Sequence, residues 1–440
     1  MICPKRQVLN FFHGFKSSRL LSSSPDSTTK IQGCLSDITI LDLTRILAGP
    51  FCTMLLSDLG AKVIKVEKPG KGDETRSWGP PYANGDAAYY LSINRNKKSI
   101  AVDFKKSEGL KILEKLVAQS DVFIENYIPG KLSEMGLGYD DLNKINPGII
   151  YCSISGFGPT GPYARRAGFD VIAASMGGLL AITGPEGGAP CKVGVASTDL
   201  STGLYAHGAI LAALHQRTHT GLGMKIDCNL LSTQVSLLAN LGVGYLNAGL
   251  VPQRRGTAHE NVVPYQAFKC ADGRYITICA GSDKMFHSIC KVVFPSDEAE
   301  KVINDPKYVD NASRNVNRKE LVDLIEKALA RKPMQEWLKD FEGTGISYGP
   351  VNDVDLVFED PQVIHNQSVI DVDHNKGGKI KLLGPAVKYQ PLAPNLTAFR
   401  EKMTSPPDVG EHTIQVLEQL GYDQKSIEQL KEKKIIQCSK

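Results

Sequence analysis

Residues 38–67 read ITILDLTRILAGPFCTMLLSDLGAKVIKVE, and the hydrophobic period changes twice within them. ITILDL is a short apolar run rich in β-branched residues, the signature of a strand buried on both faces. From Gly49 onward the apolar residues return at helical spacing. Pro50 falls in the first turn, where no N–H is required, and Gly60 is placed to end the helix. AKVIKVE then reverts to a strand. Strand, helix and strand in this order form a β-α-β unit with its two strands parallel.

The alternation extends outward from this unit. SEGLKILEKLVAQS (107–120) places Leu110, Leu113, Leu116 and Val117 on one helical face. DVFIENY (121–127) and GIIYCSISGFG (148–158) read as further strands. The fold class is therefore α/β, a parallel sheet covered by helices on both faces, whose ligands bind beyond the carboxyl ends of the strands. DLSTGLYAHGAILAALHQR (199–217) and STQVSLLANLGVGYL (232–246) read as helices, and VIAASMGGLLAITG (171–184) as a buried segment. Residues 253–286 break the pattern with many turn residues and a strand pair around ADGR (271–274). Two helices follow, RKELVDLIEKALA (318–330) and PMQEWLKDFEGTG (333–345); a strand pattern resumes at GKIKLLGPAVKY (378–389), and two short helices end the chain.

Composition narrows the function. At 42% hydrophobic and 22% charged residues, the 440-residue chain is ordinary for a globular protein. No run is long enough for a membrane helix. The net charge of +4 arises at the start: residues 1–25 carry Lys5, Arg6, Lys16 and Arg19 and no acid, and the remaining 47 basic residues match the 47 acidic ones. A neutral body argues against a nucleic-acid partner, which would need a basic face. Residues 1–24, basic, acid-poor and serine-rich, have the composition of a mitochondrial transit peptide, with cleavage near Leu20–Ser24. The ten cysteines show no C-x-x-C spacing and point to reduced thiols rather than a disulfide framework. His215 and His219 share a helix face but lack a third ligand candidate nearby in sequence, so no metal site is expected. The turn after ITILDL is TRILAGP rather than G-x-G-x-x-G, and no G-x-x-x-x-G-K-[ST] occurs, which disfavours dinucleotide and P-loop chemistry.

VASTDLSTGL (195–204) holds one acid, Asp199, just before a long apolar helix. Two roles fit that position. Asp is a favoured helix N-cap. Alternatively, the free N–H groups and partial positive charge of a helix start hold a carboxylate ionised as a nucleophile and bind a thioester oxyanion.

These segments, taken in order, resemble the class III CoA-transferases (CaiB/BaiF type). The resemblance is carried by LDLTRILAGPFCTMLLSDLGAKVIKVEKPGKGDETR, YYLSINRNKKSIAVDF, DVFIENYIPGKLSEMGLGY, YCSISGFGPTGPY, GFDVIAASMGG, VASTDLSTGLYAHGAILAAL, NVVPYQAF and ADGRYITICAGSDKMF. It runs from about Leu35 to the C-terminal region. It implies a Rossmann-like large domain built from both chain ends (33–230 and 381–440), a smaller inserted domain (256–351) and linkers at 231–255 and 352–380. It also implies a homodimer of interlocked rings. The branch it most resembles moves CoA from succinyl-CoA to a dicarboxylic acid, glutarate first and also 3-hydroxy-3-methylglutarate and adipate, with no resident cofactor. The substrates are then the partners, alongside a second copy of the chain and neither nucleic acid nor membrane.

By resemblance, Asp199 is the nucleophile that carries an aspartyl-CoA thioester, and Asp170 is a second catalytic acid. Arg45, Ile46, Leu47, Lys68, Asn126, Tyr127, Ile128 and Met135 fall where the family holds CoA. Gly281 and Ser282 fall where it has a glycine-rich lid. Arg95, which opens a basic run with Lys97 and Lys98, is a candidate ligand for the acceptor's distal carboxylate. Related α-methylacyl-CoA racemases carry a histidine immediately before the acid matching Asp170. Here that residue is Phe169, which cannot take a proton, so racemisation is the lesser alternative, with a non-catalytic CoA-binding protein as the other.

Overall fold

The computed structural model describes residues 31–390, 396–397 and 402–439. The segment read as a transit peptide lies outside them. At the centre is a seven-stranded sheet. Six parallel strands are β1 (Thr39–Asp42), β2 (Lys62–Glu67), β3 (Lys97–Val102), β4 (Val122–Glu125), β5 (Ile150–Ser155) and β6 (Met224–Asn229), in the spatial order β3-β2-β1-β4-β5-β6. The short strand Ile436–Gln437 adds antiparallel to the outer edge of β3, so the chain's last residues complete a sheet that its first described strands begin.

Both faces of the sheet are apolar, as the uninterrupted strands require. One face carries Ile40, Val63, Val122, Ile124, Ile150 and Cys152 under α1 (Ala48–Asp58). The other carries Leu41, Val66, Ile100, Phe123 and Tyr151 under α2 (Ser107–Val117) and the C-terminal helices. Neighbouring residues on one strand serve opposite faces, Ile40 to one and Leu41 to the other, because strand side chains alternate. Helix α2 buries Ile112, Leu113, Leu116 and Val117, with Leu110 at the margin. Each such side chain contributes about 1.5–3 kcal/mol by leaving water.

After β5 a long excursion leads through α3 (Asp170–Met176) to the 24-residue α4 (Ser197–Thr220), which returns across the sheet to β6. Helix α4 buries Thr198, Thr202, Gly203, Ala206, Ile210 and Ala213 on one stripe, and Gly221 ends it in the left-handed region. At Gly203 the two helices come close: a Cβ there would sit 2.7 Å from the Ala48 carbonyl oxygen of α1. His215 and His219 face each other at its last turns, and no cluster of three or more metal-ligating side chains occurs among the described residues.

Residues 263–346 build a separate hydrophobic cluster. An antiparallel sheet of β7 (Tyr265–Lys269), β8 (Tyr275–Cys279) and β9 (Ser347–Pro350) packs there on helices that include Arg318–Leu329 and Met334–Phe341. The strand pair around ADGR is β7–β8, as its turn residues indicated. The expectation for residues 171–184 is corrected. They form two short helices that pack inward through Ala173 and Ala174, leaving Val171, Ile172 and Met176 exposed. Helix Ala239–Ala248 is more extreme: it buries no residue although its sequence is largely apolar, and Leu246 is 79% exposed. No helix among the described residues is long and apolar enough to cross a membrane.

Candidate active site

The carboxyl ends of β1, β4, β5 and β6 open onto a cavity of about 230 Å³. Its walls are Arg45–Ala48 after β1, Asn126–Pro129 after β4, the end of β5 with Gly156, Arg166–Phe169, and Leu230 after β6; Asp199 projects from the start of α4. A larger cavity of about 600 Å³ lies between residues 83–92 and 358–383, but its walls are mostly apolar and include no carboxylate or histidine. The smaller one alone of these two carries a carboxylate, Asp199, and two arginines, Arg45 and Arg166.

Two loops are clamped to each other at its mouth. Asn126 accepts from the Arg45 backbone N–H at 3.0 Å, and its amide donates back to the Arg45 carbonyl at 2.7 Å. Ile46 sits at φ 72°, a region unfavourable for a β-branched side chain, and its N–H donates to Asp73. The Arg45 guanidinium reaches Glu74 at 2.6 Å and stacks 4.8 Å above the Tyr127 ring, while its Nε is buried without a hydrogen-bond partner. Backbone-to-backbone contact fixes the next loop, because a Cβ on Gly168 would lie 2.3 Å from the Gly156 Cα.

The geometry at Asp199 differs from both sequence expectations. Helix α4 begins at Ser197, so Asp199 is its third residue, and its carboxylate caps nothing. The capping acid is Asp170, whose Oδ1 accepts from the Thr198 N–H at 2.9 Å and the Asp199 N–H at 3.0 Å. The neighbouring amides of Ser197 and Leu200 donate to the Val195 and Ala196 carbonyls. All four amides of the first turn are thus occupied, and none remains to bind an oxyanion. Nor does the helix start hold Asp199 ionised at low pH. Burial, reinforced by the negative charge of Asp170, pushes its carboxyl up to about 7.

The remaining assignments divide. Arg45, Ile46, Leu47, Asn126, Tyr127 and Ile128 gather around Asp199, and Asp170 meets it through the amides. Lys68 is exposed just past β2 and Met135 packs, partly buried, against the core on the α2 face of the sheet; neither lines the cavity. Gly281 and Ser282 form the turn from β8 into helix Asp283–Val293, where Ser282 is an ordinary cap accepting from the Met285 N–H. Within this chain they lie apart from the cavity wall. Arg95 requires a correction. It is 3% exposed, paired with Asp58 and bonded to the Leu383 carbonyl. Asp58 is the last residue of α1, whose first residue, Ala48, faces the cavity, so Arg95 sits a helix length away, about 15 Å at 1.5 Å per residue. Its charge is already neutralised there.

Two residues of the site were missed. Tyr89 stands within electrostatic reach of Asp199: burial, then the charges of Asp199 and Asp170, push its phenol up to about 12. Its ring meets Trp78 edge-on at 5.2 Å. Arg166 lines the cavity itself. The aromatic pair Tyr89–Tyr90 and the doublet Arg165–Arg166 were the signals available in sequence. Phe169, half exposed on the cavity wall, occupies the position where a racemase would need a base.

The CoA-transferase family III model matches residues 35–413. The chain is 51% identical to a mouse protein named succinyl-CoA:glutarate CoA-transferase, the match covering 93% of this chain and 92% of that one. It is 50% identical to the human protein of the same name, over 90% and 88% of the two chains. The crystal structure of a CAIB/BAIF family protein from Brucella suis superposes with a TM-score of 0.78 at 38% identity, covering 89% of this chain and all of that one.

Proposed function

The chain belongs to CoA-transferase family III, and from that premise we propose that it moves CoA from succinyl-CoA to glutarate through a thioester on Asp199. The observation that carries this reading is Asp199 itself, a carboxylate on the cavity wall at the strand ends, largely withdrawn from water and without a cation beside it. A desolvated carboxylate that is partly ionised near neutral pH is a competent acyl acceptor.

The steps balance without a redox change. Asp199 attacks the thioester carbonyl of succinyl-CoA, giving a succinyl-aspartyl anhydride and CoA thiolate. The thiolate attacks the aspartyl carbonyl, forming aspartyl-CoA and releasing succinate. A glutarate carboxylate attacks that thioester to give a second anhydride and thiolate. The thiolate then takes the glutaryl carbonyl, producing glutaryl-CoA and restoring the Asp199 carboxylate. Each step exchanges one activated acyl group for another, so neither ATP nor a metal is needed. Arg45, with its buried unpartnered Nε, and the loop clamped by Asn126 suit the CoA moiety. The oxyanion donors lie outside the first turn of α4, whose amides are all engaged.

The same reading includes a homodimer, supported by the apolar helix Ala239–Ala248 standing bare on a single chain. A large domain formed by residues 33–230 and 381–440 is supported by the edge strand Ile436–Gln437. A mitochondrial matrix location rests on the composition of residues 1–24. The direct test mixes purified protein with succinyl-CoA and glutarate and follows CoA esters by mass. Glutaryl-CoA appearing at the rate succinyl-CoA disappears supports the transferase; epimerisation of a 2-methylacyl-CoA, or no turnover, defeats it.

A further inference from the structure

A dicarboxylate brings a second charge into the site. One carboxylate reacts at Asp199 while the other stays ionised, and the succinyl group of the donor carries the same distal charge. Withdrawn from water, that charge requires a partner. Most cations near the cavity are committed. Arg45 is held by Glu74 and the Tyr127 face, and Lys97 by Asp42.

Arg166 is different. It lies on the cavity wall with Asp199, in the loop between β5 and α3. Its guanidinium stacks 4.1 Å from the Tyr163 ring centroid, and that ring packs edge-on against Phe157 at 5.9 Å. Among the described residues the Arg166 side chain pairs with no carboxylate and donates no hydrogen bond. Stacking orients the planar fork without using its N–H donors, which leaves them for a bidentate anion. The loop is fixed two residues further on, where Gly168 and Gly156 touch backbone to backbone.

We propose that Arg166 recognises the distal carboxylate of the transferred acyl group, on donor and acceptor alike, and so sets the selectivity for dicarboxylates. This rests on the Asp199 transferase reading above. One arginine serving both halves of the exchange also explains how succinate and glutarate use a single site in turn.

The test compares glutarate with butyrate, which lacks the distal charge, in wild type, Arg166→Ala and Arg166→Lys. With glutarate, kcat/KM should fall about a hundredfold in Arg166→Ala, while with butyrate it stays within about threefold. Arg166→Lys should recover part of the glutarate rate. CoA affinity, measured by calorimetry, should not change. Equal losses for glutarate and butyrate, or a fall in CoA affinity, would overturn the proposal and make Arg166 a CoA or loop residue. Should wild type form no glutaryl-CoA, the transferase reading fails separately. Equilibrium binding of glutarate against butyrate still decides the role of Arg166: a wild-type preference lost in Arg166→Ala upholds it, and an unchanged or absent preference refutes it.

Discussion

Asp42, fully buried at the end of β1, and Asp199, half-buried at the start of α4, lie near the same end of one sheet, yet their surroundings push them in opposite directions. At Asp42 burial acts to raise the carboxyl, but Lys97 and Lys65, with hydrogen bonds from Thr44 and Thr53, outweigh it and leave it lowered. Lys65 in turn pairs with Asp73 at 2.9 Å, and burial at Asp73 is likewise overcome, leaving that acid at about 2. At Asp199 burial acts unopposed and its nearest charged influence is another acid, Asp170. An acid that holds the fold together is given counter-ions; the acid assigned to the chemistry is denied them, which keeps its carboxylate poorly solvated and available to a carbonyl.

The sharpest way to break this contrast is Asp199→Asn. Turnover should fall by about a thousandfold or more, because the amide cannot open the anhydride route, while the protein remains folded. Rates within tenfold of wild type, in protein shown by mass to be free of deamidation, would return Asp199 to a structural role. Asp42→Asn should act on stability instead. Leaving Lys65 and Lys97 without their shared acid should cost about 3–5 kcal/mol in denaturant unfolding, and Asp42→Asn/Lys97→Met should recover part of that loss. A cost below about 1 kcal/mol would mean that the network is not a structural unit.

Asp170→Asn tests the acid pair more gently. The amide oxygen can still accept from Thr198 and Asp199, but the charge that helps raise Asp199 is gone. The reactive form is the ionised one, so the acidic limb of the rate profile, expected near pH 7 in wild type, should move to lower pH. A limb that stays in place would show that Asp170 does not tune Asp199. The smallest effect concerns the stability cost of the site. The folded pKa of Asp199 lies above its unfolded value, so between about 4 and 7 the folded state holds the extra proton and stability falls as pH rises. Asp199→Asn removes that penalty and should be more stable than wild type at pH 8 by about 1–2 kcal/mol, the gain vanishing toward pH 4. A gain that is independent of pH would point to packing rather than charge.

The same contrast explains what could be read in advance. The β1-α1-β2 unit was legible because its apolar residues follow the periods of strand and helix, and β4 and β5 were legible for the same reason. Strand β3 was not, since it opens with Lys97 and Lys98. A buried lysine contradicts every pattern rule until its partner Asp42, 55 positions away, is brought beside it. For that reason the run Arg95–Lys98 looked like a ligand-binding basic patch, whereas Arg95 and Lys97 are internal cations. Asp199 was legible as a functional candidate through the family's motif, but its capping partner was not, because Asp170 reaches α4 from 29 residues upstream. Ser282 was legible only as a cap, because a serine before Asp283 and a helical run is sufficient for one; within this chain it lies apart from the cavity wall.

The central claim is that the carboxylate of Asp199 becomes covalently attached to CoA. It is tested most directly by incubating the enzyme with succinyl-CoA alone, reducing with borohydride and mapping the peptides by mass. The account predicts reduction of one aspartate, Asp199, dependent on succinyl-CoA and absent from Asp199→Asn. An unmodified Asp199 in enzyme that is turning over under the same conditions, or a thioester trapped at any other residue, would contradict it.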